Sequence, residues 1–508
     1  MSDIQPSMPL QDEGHRNPDE RGTTNPIQEG LGEGLPGLEE VWGWQVFMND
    51  LGPRYTGNKA HQAYVDFLDI QLKAFGLDVL YDNYVFPRWE ARRTALKLLS
   101  GDSPQDIAVS SYYPYSGQTT YAGVEGELVY LGSLPAGNHP EDIFSTDLDL
   151  KGKIALVDAP LPPMPLSDWY KLWGSYNLDG ETAFPATMLR VPYNLFLVPG
   201  LTKARDAGAR GVIFVWTNVS EENAADQYLP FTLPPPLFPD RGLQDLPALW
   251  VGRRAGHRLR QGAETGCKVN LTLEADIIFN APTRSIIAML PGESSDEVIL
   301  VNTHTDGCNA TEENGGLALL ALAKYFAHQP QSSRKRTLAF VLATGHFALA
   351  YVPSIQKVID NFPDLIKKTV AALTIEHLGT REWVDDPSGW QYYPTGHHEP
   401  AWAYCPLKAQ ADLILRSLSG TCDHPVAVVN PVTVADPLAW HWLGEGVPLY
   451  LAGIPTIAYI TVPNYLLAGQ ADGGLDKLDK RRMYSEIMAF AKVIHELDRM
   501  PISMLKGM

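Results

Sequence analysis

The sequence has few cysteines and few basic residues, and its apolar segments are short. Only four cysteines occur among 508 residues, and no two of them form a Cys-x-x-Cys pair. This pattern favours reduced thiols in a cytoplasmic protein over a disulfide-stabilised secreted one. The first residues show no charged segment followed by an apolar stretch, so a secretion signal is not predicted. We therefore expect a cytoplasmic protein.

The charge balance and the broken apolar runs exclude two classes of partner. The chain carries 40 basic and 59 acidic residues, a net charge of −19, and so lacks the basic footprint of a nucleic-acid-binding protein. The longest uncharged run near the end, residues 446–471, contains three prolines. A membrane span needs roughly 20 apolar residues without such interruptions. We expect a small-molecule or peptide substrate, no nucleic acid and no membrane, and a homo-oligomer stays open.

The second half of the chain alternates strand and helix patterns. From about residue 284, fully apolar strands lie between amphipathic helices, which predicts an α/β fold with a mostly parallel sheet flanked by helices. Residues 120–275 instead predict a small β-rich domain with long proline-rich loops. Residues 1–38 are acidic and lack an apolar period, which is typical of a flexible tail. We predict one α/β domain over 39–119 and 276–508, interrupted by the 120–275 insert.

Two local patterns resemble motifs but lack the context that those motifs need. Gly32–Gly37 matches the Gly-x-Gly-x-x-Gly pattern, yet no strand precedes it and Pro36 interrupts it, which argues against a dinucleotide-binding loop. His397-His398-Glu399 contains metal-ligating residue types. It does not have the His-Glu-x-x-His spacing and it follows a loop rich in proline and glycine. The sequence alone therefore assigns neither pattern a function.

Histidines and carboxylates follow three successive predicted strands. The strand Val298–Asn302 is followed by one group, Thr337–Ala343 by a second, and Val370–Ile375 by a third. The groups are, in order, His304 and Asp306 with Glu312 and Glu313; His346; and Glu376 and His377. Sites in parallel sheets form beyond the carboxyl ends of the strands, and these residue types bind zinc or a similar divalent ion. The alternative is a set of solvated polar loops.

The order and spacing of these motifs resemble the co-catalytic di-zinc aminopeptidase family, which includes bacterial and plasma aminopeptidases, glutamate carboxypeptidase and the transferrin receptor. The resemblance spans about residues 40–500. It rests on Leu51–Asn58, on the strand that runs into His304-x-Asp306 and a glycine-rich helix start, and on Gly453-Ile-Pro. It implies a zinc-exopeptidase-like fold, with 120–275 as a protease-associated domain.

The resemblance also implies roles for individual residues. It makes His304, Glu312 and Glu376 metal ligands, with Glu313 the alternative to Glu312 and His377 or His346 an additional ligand. It makes Asp306 the carboxylate that orients His304. Compared with the family, glutamate replaces aspartate at two ligand positions. This keeps the carboxylate oxygens but lengthens the side chain by one methylene group.

The departures from the family pattern concern the second metal. The family has two glutamates after the middle strand, the general base and a ligand, where this chain has His346 and Phe347. The family's last histidine falls near residues 466–468, where no histidine occurs. We therefore expect one divalent ion, with zinc favoured over manganese or iron. His346, Glu313 and Asp306 are the predicted catalytic residues, with His346 or Glu313 handling protons.

Three functions are compatible with this site. The first is a metal-dependent hydrolase of an amide bond in a peptide or small acylated molecule. The second is a metal-assisted lyase or isomerase acting on a small, aromatic molecule, for which Trp169, Tyr170 and Trp173 could form an aromatic wall. The third is a non-catalytic binding homologue, because fold does not fix function. The retained histidines favour the first two.

Overall fold

The computed structural model describes residues 34–100, 103–135, 140–145, 148–161, 174–177, 192, 197–232, 242–423, 426–431 and 443–507. Most of the predicted tail and the aromatic residues Trp169, Tyr170 and Trp173 lie outside these residues. Within the described ranges, no helix combines the length and apolar character needed to cross a membrane.

The strands of the described residues are numbered in chain order. They are β1 Asp78–Leu99, β2 Gln105–Ile107, β3 Ser111–Tyr112, β4 Val124–Ser133, β5 Lys153–Ala159, β6 Gly211–Trp216, β7 Ala248–Val251, β8 Lys268–Leu290, β9 Ser294–His304, β10 Arg336–Ala343, β11 Thr369–Ile375, β12 Arg381–Asp385, β13 Tyr392–His398, β14 Ala401–Tyr404, β15 Ala427–Val429 and β16 Thr456–Thr461.

The α-helices are numbered in the same way. They are α1 Leu38–Asp50, α2 Lys59–Ala74, α3 Thr202–Asp206, α4 Glu221–Ala224, α5 Arg253–Glu264, α6 Gly315–His328, α7 Ser354–Asn361, α8 Pro363–Lys368, α9 Lys408–Ser417, α10 Val447–Leu451, α11 Lys480–Arg499 and α12 Ile502–Leu505.

One large sheet runs through the described part of the chain. In its α/β half the strand order is β15-β14-β16-β11-β9-β10-β8. Strand β9 pairs in parallel with both β10 and β11, and β11 pairs in parallel with β16. Antiparallel pairing with β8 and β14 makes the sheet mixed at its margins. The predicted α/β class with a mostly parallel sheet is confirmed.

Helices cover both faces of this half of the sheet, so that its central strands are buried. Strands β10 and β11 are buried along their whole length, which a one-sided sheet could not achieve. Ile299 and Val301 of β9 pack in a core with helices α1, α2, α6 and α11. Leu300, which points to the opposite face, packs in a second core with Ile355 of α7 and Leu449 of α10. This two-sided cover fixes the carboxyl ends of β9, β10 and β11 in one row.

The strands of the predicted insert extend the same sheet instead of forming a separate one. Strand β8 is 23 residues long; its first part pairs with β4 and its last part with β10. The sheet continues from β4 through β5, β6 and β7 to β3. The proposed boundary at residue 275 falls inside β8, and the division of the chain into domains stays a prediction.

Candidate metal centre

The carboxyl ends of three neighbouring strands bring the candidate ligands together. Strand β9 ends at His304, and β11 on one side is followed directly by Glu376 and His377. Strand β10, on the other side, leads into the loop that holds His346. The row of strand ends expected from the sequence is therefore the place where these side chains meet.

Three side chains from this row and from the loop before α6 meet at one point, and a fourth lies beside them. One ligand atom each of His304, Glu312 and His377 lies within 4.8 Å of the other two. The fourth is Glu376, whose Oε2 is 3.5 Å from Nε2 of His304. Nε2 of His377 is 3.7 Å from Oε2 of Glu312. All four side chains are at most 3% exposed, so bulk water does not solvate these groups.

The facing atoms of this cluster have no hydrogen-bond partner. They are Nε2 of His304, Nε2 of His377, Oε2 of Glu312 and Oε2 of Glu376. A buried polar atom without a partner costs about 1–3 kcal/mol, and more when charged. A cation held among these residues would supply the missing partner. Two imidazole nitrogens and two carboxylate oxygens are a donor set that suits zinc. The residues present therefore fit the divalent metal that the sequence predicts.

Both histidines present the correct nitrogen to that point. Nδ1 of His304 is 2.9 Å from the main-chain oxygen of Asp306, and Nδ1 of His377 is 2.7 Å from that of Thr461. A carbonyl oxygen only accepts, so each Nδ1 donates its proton and each Nε2 keeps a lone pair. This arrangement fixes the tautomer that a metal-binding histidine needs.

His346 lies beside the cluster and is paired with a glutamate that the sequence analysis missed. Nδ1 of His346 is 2.7 Å from Oε1 of Glu445, and its Nε2 is 3.4 Å from Oε1 of Glu312. The His346 ring stacks on the ring of His304, with centroids 3.9 Å apart. Its side chain is 13% exposed, more than any of the four cluster residues. His346 is therefore placed to exchange protons between the cluster and an incoming molecule.

Glu445 reaches this position because glycine precedes it. Gly444 has a φ of +90°, and a side chain there would overlap the carboxylate of Glu376. The main-chain N–H of Glu445 donates to Oε1 of Glu376 at 2.8 Å. Glu445 thus orients both His346 and Glu376. The sequence did contain a signal, since Glu445 is the only charged residue between positions 437 and 471.

The electrostatics of the site favour positive charge. Burial disfavours a proton on His304, but the carboxylates of Glu376 and Glu312 outweigh it and raise its pKa. Burial likewise opposes a proton on His346, yet hydrogen bonds to Glu312 and Glu445 hold its pKa well above the usual value. Burial lowers the pKa of His377. Carboxylates that stabilise a proton at His304 would also stabilise a divalent cation there.

Asp306 has a different local role from the one expected. Its carboxylate does not orient His304, because the main-chain oxygen of Asp306 makes that contact. The carboxylate accepts from the main-chain N–H of Gly345 at 3.1 Å and of Phe347 at 2.9 Å, and from the hydroxyl of Thr56. Asp306 therefore anchors the loop that carries His346, which is a positioning role.

Glu313 does not join the cluster. Its carboxylate forms a buried ion pair with Arg54, whose side chain is 1% exposed. Arg54 also donates to the main-chain oxygen of Met48 at 2.8 Å. Glu313 is therefore an ion-pair partner of Arg54, which the sequence could not show because Arg54 is 259 residues away, and its catalytic role stays a prediction.

Loss of Arg54 is expected to destabilise the fold strongly. Removing one partner of a buried ion pair leaves the other charge uncompensated, which costs about 3–5 kcal/mol. Arg54→Met should therefore lower the urea midpoint of unfolding. The double variant Arg54→Met/Glu313→Leu should recover part of the loss, because no unpaired carboxylate remains. An Arg54→Met protein with the wild-type midpoint would contradict this role.

Apolar residues occupy the places where the sequence resemblance would put the second-metal ligands. Phe347, next to His346, is buried, and its ring centroid is 5.2 Å from those of Tyr228 and Phe231. Residues 466–468 are also buried, in a loop held by the side-chain amide of Asn309, which donates to the main-chain oxygens of Leu466 and Ala468. None of these apolar side chains has an atom that can bind a metal.

The fold is that of zinc aminopeptidases. An aminopeptidase from Aneurinibacillus sp. strain AM-1 matches at 16% identity over 91% of this chain and 94% of that chain, with a TM-score of 0.57. BSAP, a zinc aminopeptidase from Bacillus subtilis, matches at 15% identity over 92% and 98%, with a TM-score of 0.60. A peptidase M28 precursor from Shewanella amazonensis SB2B matches at 16% identity over 91% and 92%, with a TM-score of 0.62.

These similarities confirm the zinc-exopeptidase-like fold that the sequence motifs imply, along nearly the whole chain. No protein-family model matches the sequence, and no curated protein matches it. At 15–16% identity the comparison shows the fold, so function has to be argued from the site itself.

Proposed function

We propose that this protein is a metal-dependent hydrolase that cleaves an amide bond in a peptide or a small acylated molecule, with one divalent ion at its centre. The observation that carries the proposal is the buried group of His304, Glu312 and His377, with Glu376 beside it, whose facing atoms have no hydrogen-bond partner. His304, Glu312, Glu376 and His377 would hold the ion, which we propose is zinc. A zinc ion held by such ligands supplies Lewis-acid activation of water and of a carbonyl group.

His346 would handle the protons of the reaction. Its Nδ1 is tied to Glu445, so its Nε2 is the nitrogen that gains and loses the proton. Burial opposes a proton on His346, but hydrogen bonds to Glu312 and Glu445 raise its pKa, which suits the ring to protonate a departing amine. Glu445 keeps the ring oriented while this occurs, and Glu312 faces Nε2 at 3.4 Å.

A single-ion mechanism is supported by what surrounds the cluster. The ring of Phe347 lies 5.6 Å from that of His346, and residues 466–468 are buried apolar residues. A second ion there would lack two of the ligands that the two-metal family uses. We therefore propose a mononuclear site, in which His346 does the proton transfer otherwise assigned to a glutamate.

A lyase or isomerase acting on a small aromatic molecule is the second candidate. The observation in its favour is the aromatic wall next to the proton-transfer group, since the ring centroid of Phe231 lies 5.6 Å from that of His346. Aromatic side chains of this kind provide apolar contact area for a ring-bearing substrate. Such a reaction would need the same ion and the same histidine.

Removal of the metal is expected to abolish activity reversibly. Chelator-treated protein should lose hydrolysis of a panel of chromogenic aminoacyl and N-acyl anilides, and zinc should restore it. Metal analysis should show about one ion per chain fewer in the Glu312→Gln variant than in the wild type. Activity that survives complete metal removal would overturn the hydrolase proposal. Metal-dependent turnover of a non-amide substrate, with no anilide cleaved, would support the second candidate.

A further inference from the structure

A second group of metal-binding side chains lies where hairpin β12–β13 meets the turn after helix α9. His398 ends strand β13, and Cys422 and Asp423 lie in that turn. One ligand atom of each lies within 4.8 Å of the other two. We propose that His398, Cys422 and Asp423 form a second metal site, separate from the catalytic centre, that binds zinc or a similar borderline divalent ion.

The distances suit such an ion. Nδ1 of His398 is 3.1 Å from Oδ1 of Asp423, and a ligand atom of Cys422 lies within 4.8 Å of the ligand atoms of both residues. Zinc bonds of about 2.0–2.3 Å in a tetrahedral site place ligand atoms about 3.3–3.8 Å apart. Small side-chain rotations therefore suffice to bring all three atoms into the ligand shell.

The chemistry of the donors identifies the class of metal. A thiolate, an imidazole and a carboxylate together favour zinc, cobalt or cadmium over calcium and magnesium, which prefer oxygen ligands alone. His397 lies close enough to supply the fourth position, because its Nδ1 is 3.0 Å from Oδ2 of Asp423. Water could fill that position instead.

The surroundings of His398 support ligation through Nδ1. Its Nε2 faces Oδ2 of Asp479 at 3.8 Å, so a carboxylate orients the ring from the far side. Cys422 and Asp423 also line a surface cavity with Ser419 and Gly420, which gives an ion a path of entry from solvent. A bound ion would connect the hairpin to the turn after α9 and stabilise this face of the molecule.

The competing explanation is a purely hydrogen-bonded cluster. The main-chain N–H of Asp423 donates to Nδ1 of His398 at 3.3 Å, and a metal would displace this bond. Cobalt distinguishes a metal site from a hydrogen-bonded cluster, because Co²⁺ bound to a thiolate gives a charge-transfer absorption in the near ultraviolet. The ligands at the catalytic centre are nitrogen and oxygen atoms, which do not give this band.

The experiment is titration of chelator-treated, full-length protein with Co²⁺, followed by absorption and by thermal unfolding. We expect the thiolate band and a higher Tm in the wild type, and neither in Cys422→Ser. Cys267→Ser removes another partly exposed cysteine and should behave as the wild type. Glu312→Gln, which alters the catalytic centre, should keep the band. The anilide activity of Cys422→Ser should equal that of the wild type.

The result that would overturn this inference is a wild-type protein without the band, or a band that survives Cys422→Ser. If Cys422→Ser does not fold, Asp423→Asn and His398→Gln provide the same test, because each removes a ligand and keeps the side-chain volume. They should weaken cobalt binding at least about tenfold. Equal cobalt affinity in these variants and the wild type would also reject the site. Failure of anilide cleavage with the band intact would reject only the hydrolase proposal.

Discussion

His304→Ala is expected to abolish amide hydrolysis and to remove the catalytic ion, while leaving the protein folded. His304 supplies one of the four unpartnered buried atoms, and its ring lies against that of His346. Loss of a metal that contributes several kcal/mol to the transition state corresponds to a fall in kcat/KM on the order of a thousandfold or more. Metal analysis and anilide kinetics on the same preparation measure both effects.

The matched control is His257→Ala, which removes an exposed histidine on helix α5. Its metal content and its kinetics should equal those of the wild type. Circular dichroism of His304→Ala should show that the sheet and helices persist, because the packed cores on both faces of the sheet do not involve His304. A His304→Ala protein that keeps its metal and its activity would place the catalytic centre elsewhere.

The α/β half could be predicted because each of its strands and helices shows its pattern within a short segment of the sequence. Three of its strands are largely apolar runs: Val298–Asn302, Thr337–Ala343 and Val370–Ile375. Only a sheet covered on both faces can bury such runs. The helices between them predicted a mostly parallel sheet, with the ends of these strands along one edge. The strand ends, and with them His304, Glu376 and His377, followed from that topology.

The insert was harder to predict because long-range pairing decides it. Strands β1 and β8 pair over about 20 residues each and carry the sheet from one half to the other. Strand β1 lies in the predicted α/β domain, whereas β8 begins in the predicted insert and ends in the α/β domain. Neither predicted domain alone therefore reveals that the two strands pair. Helix α1 was not predicted from the sequence either. Its first turn contains Glu39 and Glu40, which continue the acidic composition of the preceding segment.

The polar contacts of the site depend on residues that are distant in sequence. Residues 312 and 313 are both glutamates. Only the contact with Arg54 shows that Glu313 is the ion-paired carboxylate and Glu312 the candidate ligand. Glu445 lies 99 residues from His346, in a segment without a motif. Residue type and spacing can identify candidates for a role, whereas the partner of each side chain is a property of the folded chain.

His346→Asn is expected to lower kcat by about 10²–10⁴-fold with the metal retained, because general acid–base catalysis contributes on that scale. His346 faces Glu312 but does not belong to the group of His304, Glu312 and His377, so metal content should match the wild type. KM should change little, since the loss falls on proton transfer and not on substrate binding. Glu445→Gln should give a smaller loss of kcat, because the imidazole remains but its orientation and pKa are no longer maintained. Loss of metal from His346→Asn would instead make His346 a ligand, and unchanged kcat in both variants would remove this pair from the reaction.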